Sequence, residues 1–311
     1  MVSTHWRCTW ALCLCTIVFL SCQRAETTSR DNQPLSRVAV TSATHIGFLD
    51  ALGQLDKVVA VTNRAQIYTP LPDSVVDLGD ATRPNIETLL RLGVDAVLLC
   101  SYTGNTLEEQ IARVGIRTIA IDEWQETSPL ARAEWILTLG DLFDCRERAD
   151  SIYAAVCQRY NALAEQQKQH TASRAIMSGA NFRGTWYVPS GNTYMGCLFR
   201  DAGAAYPYYD DKREQSLPLS FEACYATFEK ADIWVGCDKR TLQELADTDS
   251  KHTWFRAYQT GCVYNWLRQT NRTGGNNFWE RGVVHPDEIL EDLIHILAGQ
   301  DDSLHYAEHL R

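Results

Sequence analysis

Large aromatic side chains are concentrated in a few segments of this chain, next to cationic and hydroxyl-bearing residues. A flat macrocyclic ligand needs aromatic walls that exchange water for stacking, and a few polar groups at its rim. Arginine holds carboxylates at such a rim through a two-pronged hydrogen bond. The candidate wall residues are Trp124, Trp186, Tyr187, Tyr194, Trp266 and Trp279, and the candidate polar residues are Thr44, Tyr68, Tyr102, Arg183, Arg268 and Arg281. Each aromatic residue has a structural alternative, since it can equally hold a loop together or belong to a core.

His45 and Tyr194 are the residues whose chemistry best suits a metal. Imidazole is a common ligand of haem iron, and a tyrosine phenolate suits ferric iron. They hold matching places in residues 44–49 (THIGFL) and 193–198 (TYMGCL), two segments that echo each other in sequence. The sequence leaves open whether they ligate metal or only form hydrogen bonds. A bare zinc or manganese site is less expected, because such a site needs several converging ligands and His45 has no obvious partner in its loop.

These residues must be positioned by loops that connect strands to helices. In residues 37–143 short apolar strands alternate with helical segments, and residues 171–300 repeat the plan. This alternation predicts mainly parallel sheets. Ligands of open α/β sheets bind beyond the carboxyl ends of the strands, which is where the candidate residues fall.

Residues 144–170 join the two segments. Apolar residues recur there at helical spacing, and no Gly or Pro interrupts them between residues 146 and 168. One helix over that range would be about 33 Å long. The sequence therefore predicts an α/β fold of two Rossmann-like lobes with mainly parallel sheets, joined by one long helix. Residues 301–311 are expected to form a weakly ordered tail.

Composition excludes several functions. The 311 residues suffice for two domains, and a net charge of −10 without a basic block argues against a nucleic-acid partner. The chain contains no GxSxG, HExxH or GxGxxG motif, so we expect no enzyme and no cofactor.

Four of the 11 cysteines lie in residues 1–22, and the other seven include no CxxC pair. An export route would permit a disulfide among those seven, but the sequence does not identify one.

The N-terminus has the features of a lipoprotein signal. The apolar run of residues 10–20 is too short to span a bilayer, and it ends at residues 19–22, which read FLSC. A plain secretory signal is the alternative. We expect residues 1–22 to be a signal whose Cys22 receives the lipid, and residues 23–36 to be a tether. The mature protein would then be held in the periplasm at a membrane by lipid alone.

From residue 37 to about residue 300 the chain resembles the periplasmic substrate-binding lipoproteins of ABC importers for iron complexes and cobalamin. The most specific stretches are residues 185–196 (TWYVPSGNTYMG), 216–222 (SLPLSFE) and 274–284 (GGNNFWERGVV), which look most like a Bacteroidetes-type branch. The resemblance implies a monomer with a ligand cleft between its lobes, across which Tyr194 would face His45. It also implies little hinge motion and delivery to a dimeric permease. The carried ligand would be haem, a ferric siderophore or cobalamin, and the sequence does not choose among them.

Glu87 and Glu222 are the candidate docking residues. Each is the last residue of one of two short similar segments, residues 85–87 (NIE) and 220–222 (SFE), and each segment precedes a predicted strand. The resemblance implies that one acidic residue on each lobe meets arginines of the permease. The alternative is local, since a carboxylate in the first turn of a helix is stabilised by the helix dipole.

Overall fold

The computed structural model describes residues 33–101, 105–168 and 173–311. Cys22, the apolar run before it, most of the tether and Tyr102 lie outside these residues. Within the described residues, no helix is both long enough and apolar enough to cross a membrane.

The first half of the described chain, residues 34–143, forms an entirely parallel five-stranded sheet in the order β3-β2-β1-β4-β5. The strands are β1 (Val38–Val40), β2 (Val58–Val61), β3 (Val76–Asp77), β4 (Ala96–Leu99) and β5 (Arg117–Ala120), and the helices are α1 (Ala43–Leu52), α2 (Ile86–Leu92), α3 (Asn105–Arg113) and α4 (Pro129–Leu142). Strands β1 and β4 are buried along their whole length, which explains their continuous apolar sequences. The predicted alternation of strands and helices is confirmed here.

Helix α5 (Arg146–Gln167) is the predicted long helix. It packs against α4 on one side and against α11 (Pro286–Ala298), from the end of the chain, on the other. Its buried stripe is Ala149, Val156 and Tyr160. Gly140 permits the close approach of α4, because a Cβ atom at that position would lie 2.6 Å from the Cβ of Ala149.

The second half, residues 173–311, contains two sheets. The larger has the order β12-β11-β10-β6, from β6 (Ile176–Ser178), β10 (Ile233–Cys237), β11 (Val263–Asn265) and β12 (Glu308–His309), of which β12 alone is antiparallel. The smaller is an antiparallel sheet of β7 (Asn181–Phe182), β8 (Thr185–Val188) and β9 (Leu217–Leu219). The remaining helices are α6 (Tyr194–Asp201), α7 (Phe221–Phe228), α8 (Leu242–Thr248), α9 (Arg256–Gln259) and α10 (Arg281–Val284).

The antiparallel sheet was not predicted. Strands β7 and β8 are joined by Arg183 and Gly184, whose φ angles of +52° and +87° give a two-residue hairpin turn. The segment that the sequence assigns to a cleft loop is therefore partly a strand. This changes which side chains reach solvent, because neighbouring residues of a strand point to opposite faces.

Two predicted boundaries are wrong. The expected tail forms β12 and buries Leu304, Tyr306, Ala307 and Leu310. Buried Asp292 of α11 fixes it by accepting hydrogen bonds from the backbone N–H groups of residues 305, 306 and 307. At the other end, Leu35 belongs to the core of the first half rather than to a tether, and its N–H donates to Leu142.

Candidate functional site

Three buried side chains from the first half meet at the carboxyl ends of adjacent strands. His45 lies in the first turn of α1 after β1, Cys100 directly follows β4, and Glu123 lies in a short 3-10 turn after β5. His45 Nε2 is 3.3 Å from Glu123 Oε2, 3.5 Å from Cys100 Sγ and 3.1 Å from the carbonyl oxygen of Ile121. Strand order explains this convergence, because β1, β4 and β5 are neighbours in the sheet.

The imidazole of His45 is polarised by its partners. Burial alone would lower the pKa of His45, but hydrogen bonds with Cys100 and Glu123, together with the charge of Glu123, raise it to about 9. The sulfur and the carboxylate both approach Nε2, whereas Nδ1 has no hydrogen-bond partner among the described residues. In a Cys–His–acid relay the nucleophile and the acid contact opposite ring nitrogens. The geometry of His45 is therefore not that of a hydrolase.

Contacts continue from this group into the second half of the chain. Arg132 of α4 lies 3.6 Å from Glu123 Oε1, and its guanidinium stands 5.1 Å above the ring of Tyr194, the first residue of α6. Burial raises the pKa of Tyr194 above its ordinary value, so the phenol stays neutral. The structure thus connects buried His45 to buried Tyr194 through buried Glu123 and half-buried Arg132.

A second contact between the halves is made by Glu280. This buried carboxylate accepts hydrogen bonds from the N–H of Tyr68, from the N–H of Thr69 at 3.0 Å and from the Thr69 hydroxyl at 2.7 Å. Asn271 donates to the carbonyl oxygen of Ile67 at 2.7 Å. The loop after β2 is therefore tied to the loop after β11.

A cavity of about 410 Å³ lies beside this contact. Its lining residues include Arg64, Tyr68, Pro70 and Asp77 from the first half, and Asn271 and Thr273 from the second. Arg64, Tyr68 and Pro70 lie in the loop after β2, Asp77 ends β3, and Asn271 and Thr273 lie in the loop after β11, so both halves contribute residues near the carboxyl ends of strands. Its volume falls within the range of small-molecule sites.

The prediction that Trp186 lines a cleft is wrong. Trp186 is fully buried on the inner face of β8, donates from Nε1 to the carbonyl oxygen of Ser178 at 2.9 Å, and lies 5.3 Å from the ring of Trp234. Trp266 is also buried, and it stacks on Phe278 at 4.8 Å. Both indoles are core side chains.

Other candidate residues are accessible. Trp124, Tyr187 and Trp279 are 44%, 48% and 50% exposed. Trp124 and Trp279 follow β5 and β11, whereas Tyr187 lies within β8. Arg183 and Arg268 are exposed, while Thr44 is half-buried. The Arg281 guanidinium donates to both carboxylate oxygens of Glu288, at 2.6 Å and 3.2 Å, so these donors are already used within the protein.

Four residues of the site were missed from the sequence. Cys100 and Glu123 each follow a predicted strand, so the carboxyl-end rule that selected His45 would have found them. The partners of His45 come from the loops after β4 and β5, so the lack of a partner in its own loop does not argue against a metal site. Arg132 lies inside a helix and Glu280 inside an irregular loop, where no pattern marks them.

The chain matches the model of the periplasmic binding protein family over residues 38–270. With that much of its length covered, the chain belongs to this family. Members are substrate-binding proteins rather than enzymes, as the sequence predicts for this chain. The branch within the family stays a prediction.

Named relatives agree with this assignment. An uncharacterized lipoprotein from Methanocaldococcus jannaschii is 23% identical over 86% of this chain, which spans 66% of that relative's length, just under two thirds. A periplasmic heme-binding protein from Pseudomonas aeruginosa has a TM-score of 0.67 at 17% identity, covering 89% of this chain and 98% of its own. A periplasmic vitamin B12-binding protein from Vibrio cholerae has a TM-score of 0.61 at 15% identity, covering 87% and 99%. At these identities the structures establish the α/β fold alone, and the predicted fold class is confirmed.

Proposed function

We propose that this protein is the solute-binding component of an ABC importer, and that it carries an iron complex, haem or a ferric siderophore, between its two halves. The observation that carries the proposal is the cavity lined by carboxyl-end loops of both halves, in a chain of the periplasmic binding protein family. Exposed Trp124 and Trp279, which follow β5 and β11, and exposed Tyr187 on β8 offer further aromatic surface. Aromatic surface of this kind suits a large conjugated ligand.

Cobalamin is the second candidate. The same fold serves a vitamin B12-binding protein, and a corrin also needs aromatic contact surface. A protein ligand to the metal is not required for either cargo. If metal ligation occurs, His45 and Tyr194 must first become accessible, since both are buried.

The test is an absorption titration of the purified protein with haem, a ferric hydroxamate siderophore and cobalamin in turn. We expect one of them to give a saturable shift: in the Soret band, in the charge-transfer band, or in the corrin spectrum. A matching rise in melting temperature should accompany it. Absence of both signals with all three compounds would contradict the proposal, and a response to cobalamin alone would replace the iron complex by the corrin.

Localisation and docking are part of the proposal. The chain would be held in the periplasm at a membrane by a lipid on Cys22, as expected for a family with a relative called a lipoprotein. Glu87 and Glu222 are exposed in the first turns of α2 and α7, behind the capping residues Asn85 and Ser220. Each would meet one subunit of a twofold permease.

Reversing both charges should impair transport without affecting cargo binding. Rim charges chiefly set the encounter rate and the register of a complex, so Glu87→Lys with Glu222→Lys should lower uptake in cells and make the remaining docking less dependent on salt. The matched control is Glu147→Lys with Asp247→Lys, which makes the same charge change at exposed positions on α5 and α8. Normal uptake by the first double variant would eliminate the docking role. Loss of cargo binding would instead assign these residues to the cleft or to the fold.

A further inference from the structure

His45 Nε2 is surrounded by more electron-pair donor atoms than a single N–H hydrogen can bond. A ring nitrogen carries at most one hydrogen, yet a sulfur, a carboxylate oxygen and a carbonyl oxygen lie within 3.5 Å of it. All of these groups are buried, so water does not disperse the charge. A cation placed among them would serve every one of these atoms at once.

We propose that His45 Nε2, Cys100 Sγ and Glu123 Oε2 form a binding site for a transition-metal dication of the zinc type. The three atoms lie within 4.8 Å of one another. Around tetrahedral zinc, bonds of about 2.0–2.3 Å place nitrogen and oxygen ligands about 3.4 Å apart, and nitrogen and sulfur ligands about 3.6 Å apart. The observed separations of 3.3 Å and 3.5 Å fit both values.

The ligand types select the metal. A thiolate with an imidazole favours zinc over magnesium or calcium, which prefer oxygen ligands throughout. Arg132, 3.6 Å from the other oxygen of Glu123, holds that carboxylate with Oε2 turned toward His45. An outer partner of this kind orients the carboxylate ligands of metal sites. The Ile121 carbonyl oxygen lies 3.1 Å from the same nitrogen.

The burial of the three ligands indicates a structural role for the metal. Closed zinc sites are structural, whereas catalytic sites keep one position open to solvent. Here the three ligands are 0%, 2% and 1% exposed, in the order His45, Cys100 and Glu123. The metal would therefore fasten the carboxyl ends of β1, β4 and β5 together. This site belongs to the first half alone, and a metal held there would occupy His45 Nε2, so that atom would not also bind the carried chelate.

The test uses Zn²⁺ and Co²⁺ alone, with protein reduced beforehand and the reductant removed under anaerobic conditions, so that no reductant competes for the metal. One equivalent of Zn²⁺ should raise the melting temperature by about 5 °C or more. Co²⁺ should give a thiolate-to-cobalt charge-transfer band in the near ultraviolet. His45→Gln, Cys100→Ser and Glu123→Gln should each weaken Zn²⁺ binding at least tenfold, and Cys100→Ser should abolish the Co²⁺ band.

The matched controls are Cys262→Ser and His305→Gln, which remove a thiol and an imidazole from the second half. Both should keep the band and the thermal shift. The proposal is overturned if the unmodified protein shows neither signal, or if the band survives in Cys100→Ser. Should His45→Gln not fold, Cys100→Ser decides alone, because the band requires its sulfur.

Discussion

Trp186→Ala should cost about 3–5 kcal/mol of folding free energy, as truncation of a buried tryptophan usually does. The indole is fully buried between β8 and the larger sheet of the second half. Its ring centroid lies 5.3 Å from that of Trp234 and 5.5 Å from that of Phe255. Alanine would leave a cavity and would also leave the Ser178 carbonyl without its indole N–H donor. Urea unfolding monitored by circular dichroism measures the loss.

Tyr187→Ala is the matched control, one residue along the same strand. Tyr187 points to the opposite face of β8 and is 48% exposed, so its truncation should change the unfolding free energy by less than about 1 kcal/mol. If Tyr187 stacks on the cargo, its loss should weaken binding several-fold. A stable Trp186→Ala protein with weakened ligand binding would reverse these assignments and restore Trp186 to the cleft.

Removing residues 301–311 should leave the protein unfolded or insoluble. This segment supplies the buried side chains Leu304, Tyr306 and Leu310, and each large buried side chain contributes about 2–5 kcal/mol. Their sum is comparable with the whole stability of a typical domain, about 5–15 kcal/mol. Truncation would also expose Asp292 after it loses three backbone donors. Soluble yield and the melting curve of the truncated chain are the measurements.

Removal of residues 1–32 provides the contrasting truncation. The fold of the described chain begins at Pro34, so this variant should melt within a few degrees of the longer chain. A C-terminally truncated chain that melts equally well would mean that β12 and its buried neighbours add nothing to the second half.

Much of the fold could be predicted because local signals agree with tertiary packing. Helix α2 has Asn85 as its cap, accepting from the N–H of Thr88, and α11 begins with proline, as the sequence indicates. The apolar stripe of α5 predicted its extent within a few residues. Strands β7, β9 and β12 have three residues or fewer, which is too short for a period of two to be seen.

The site was only partly predictable, for a different reason. Burial of Trp186 depends on the face of β8 that it occupies, and the hairpin turn that sets this face uses Arg183 and Gly184, a weaker signal than Asn-Gly. The cluster at His45 depends on strand order. Cys100 and Glu123 follow strands that are distant in sequence from β1, and only the order β1-β4-β5 makes them neighbours.

The hydrogen bonds accepted by the Glu280 carboxylate allow separation of the two halves to be followed by amide hydrogen exchange. It holds the amide hydrogens of Tyr68 and Thr69, residues 212 and 211 positions away along the chain. Because Glu280 lies in the loop after β11, separation of that loop from the loop after β2 frees both amides to exchange with solvent deuterium. Their exchange rates, followed with and without cargo, would therefore report how often the two halves part at this edge, with no label attached to the protein.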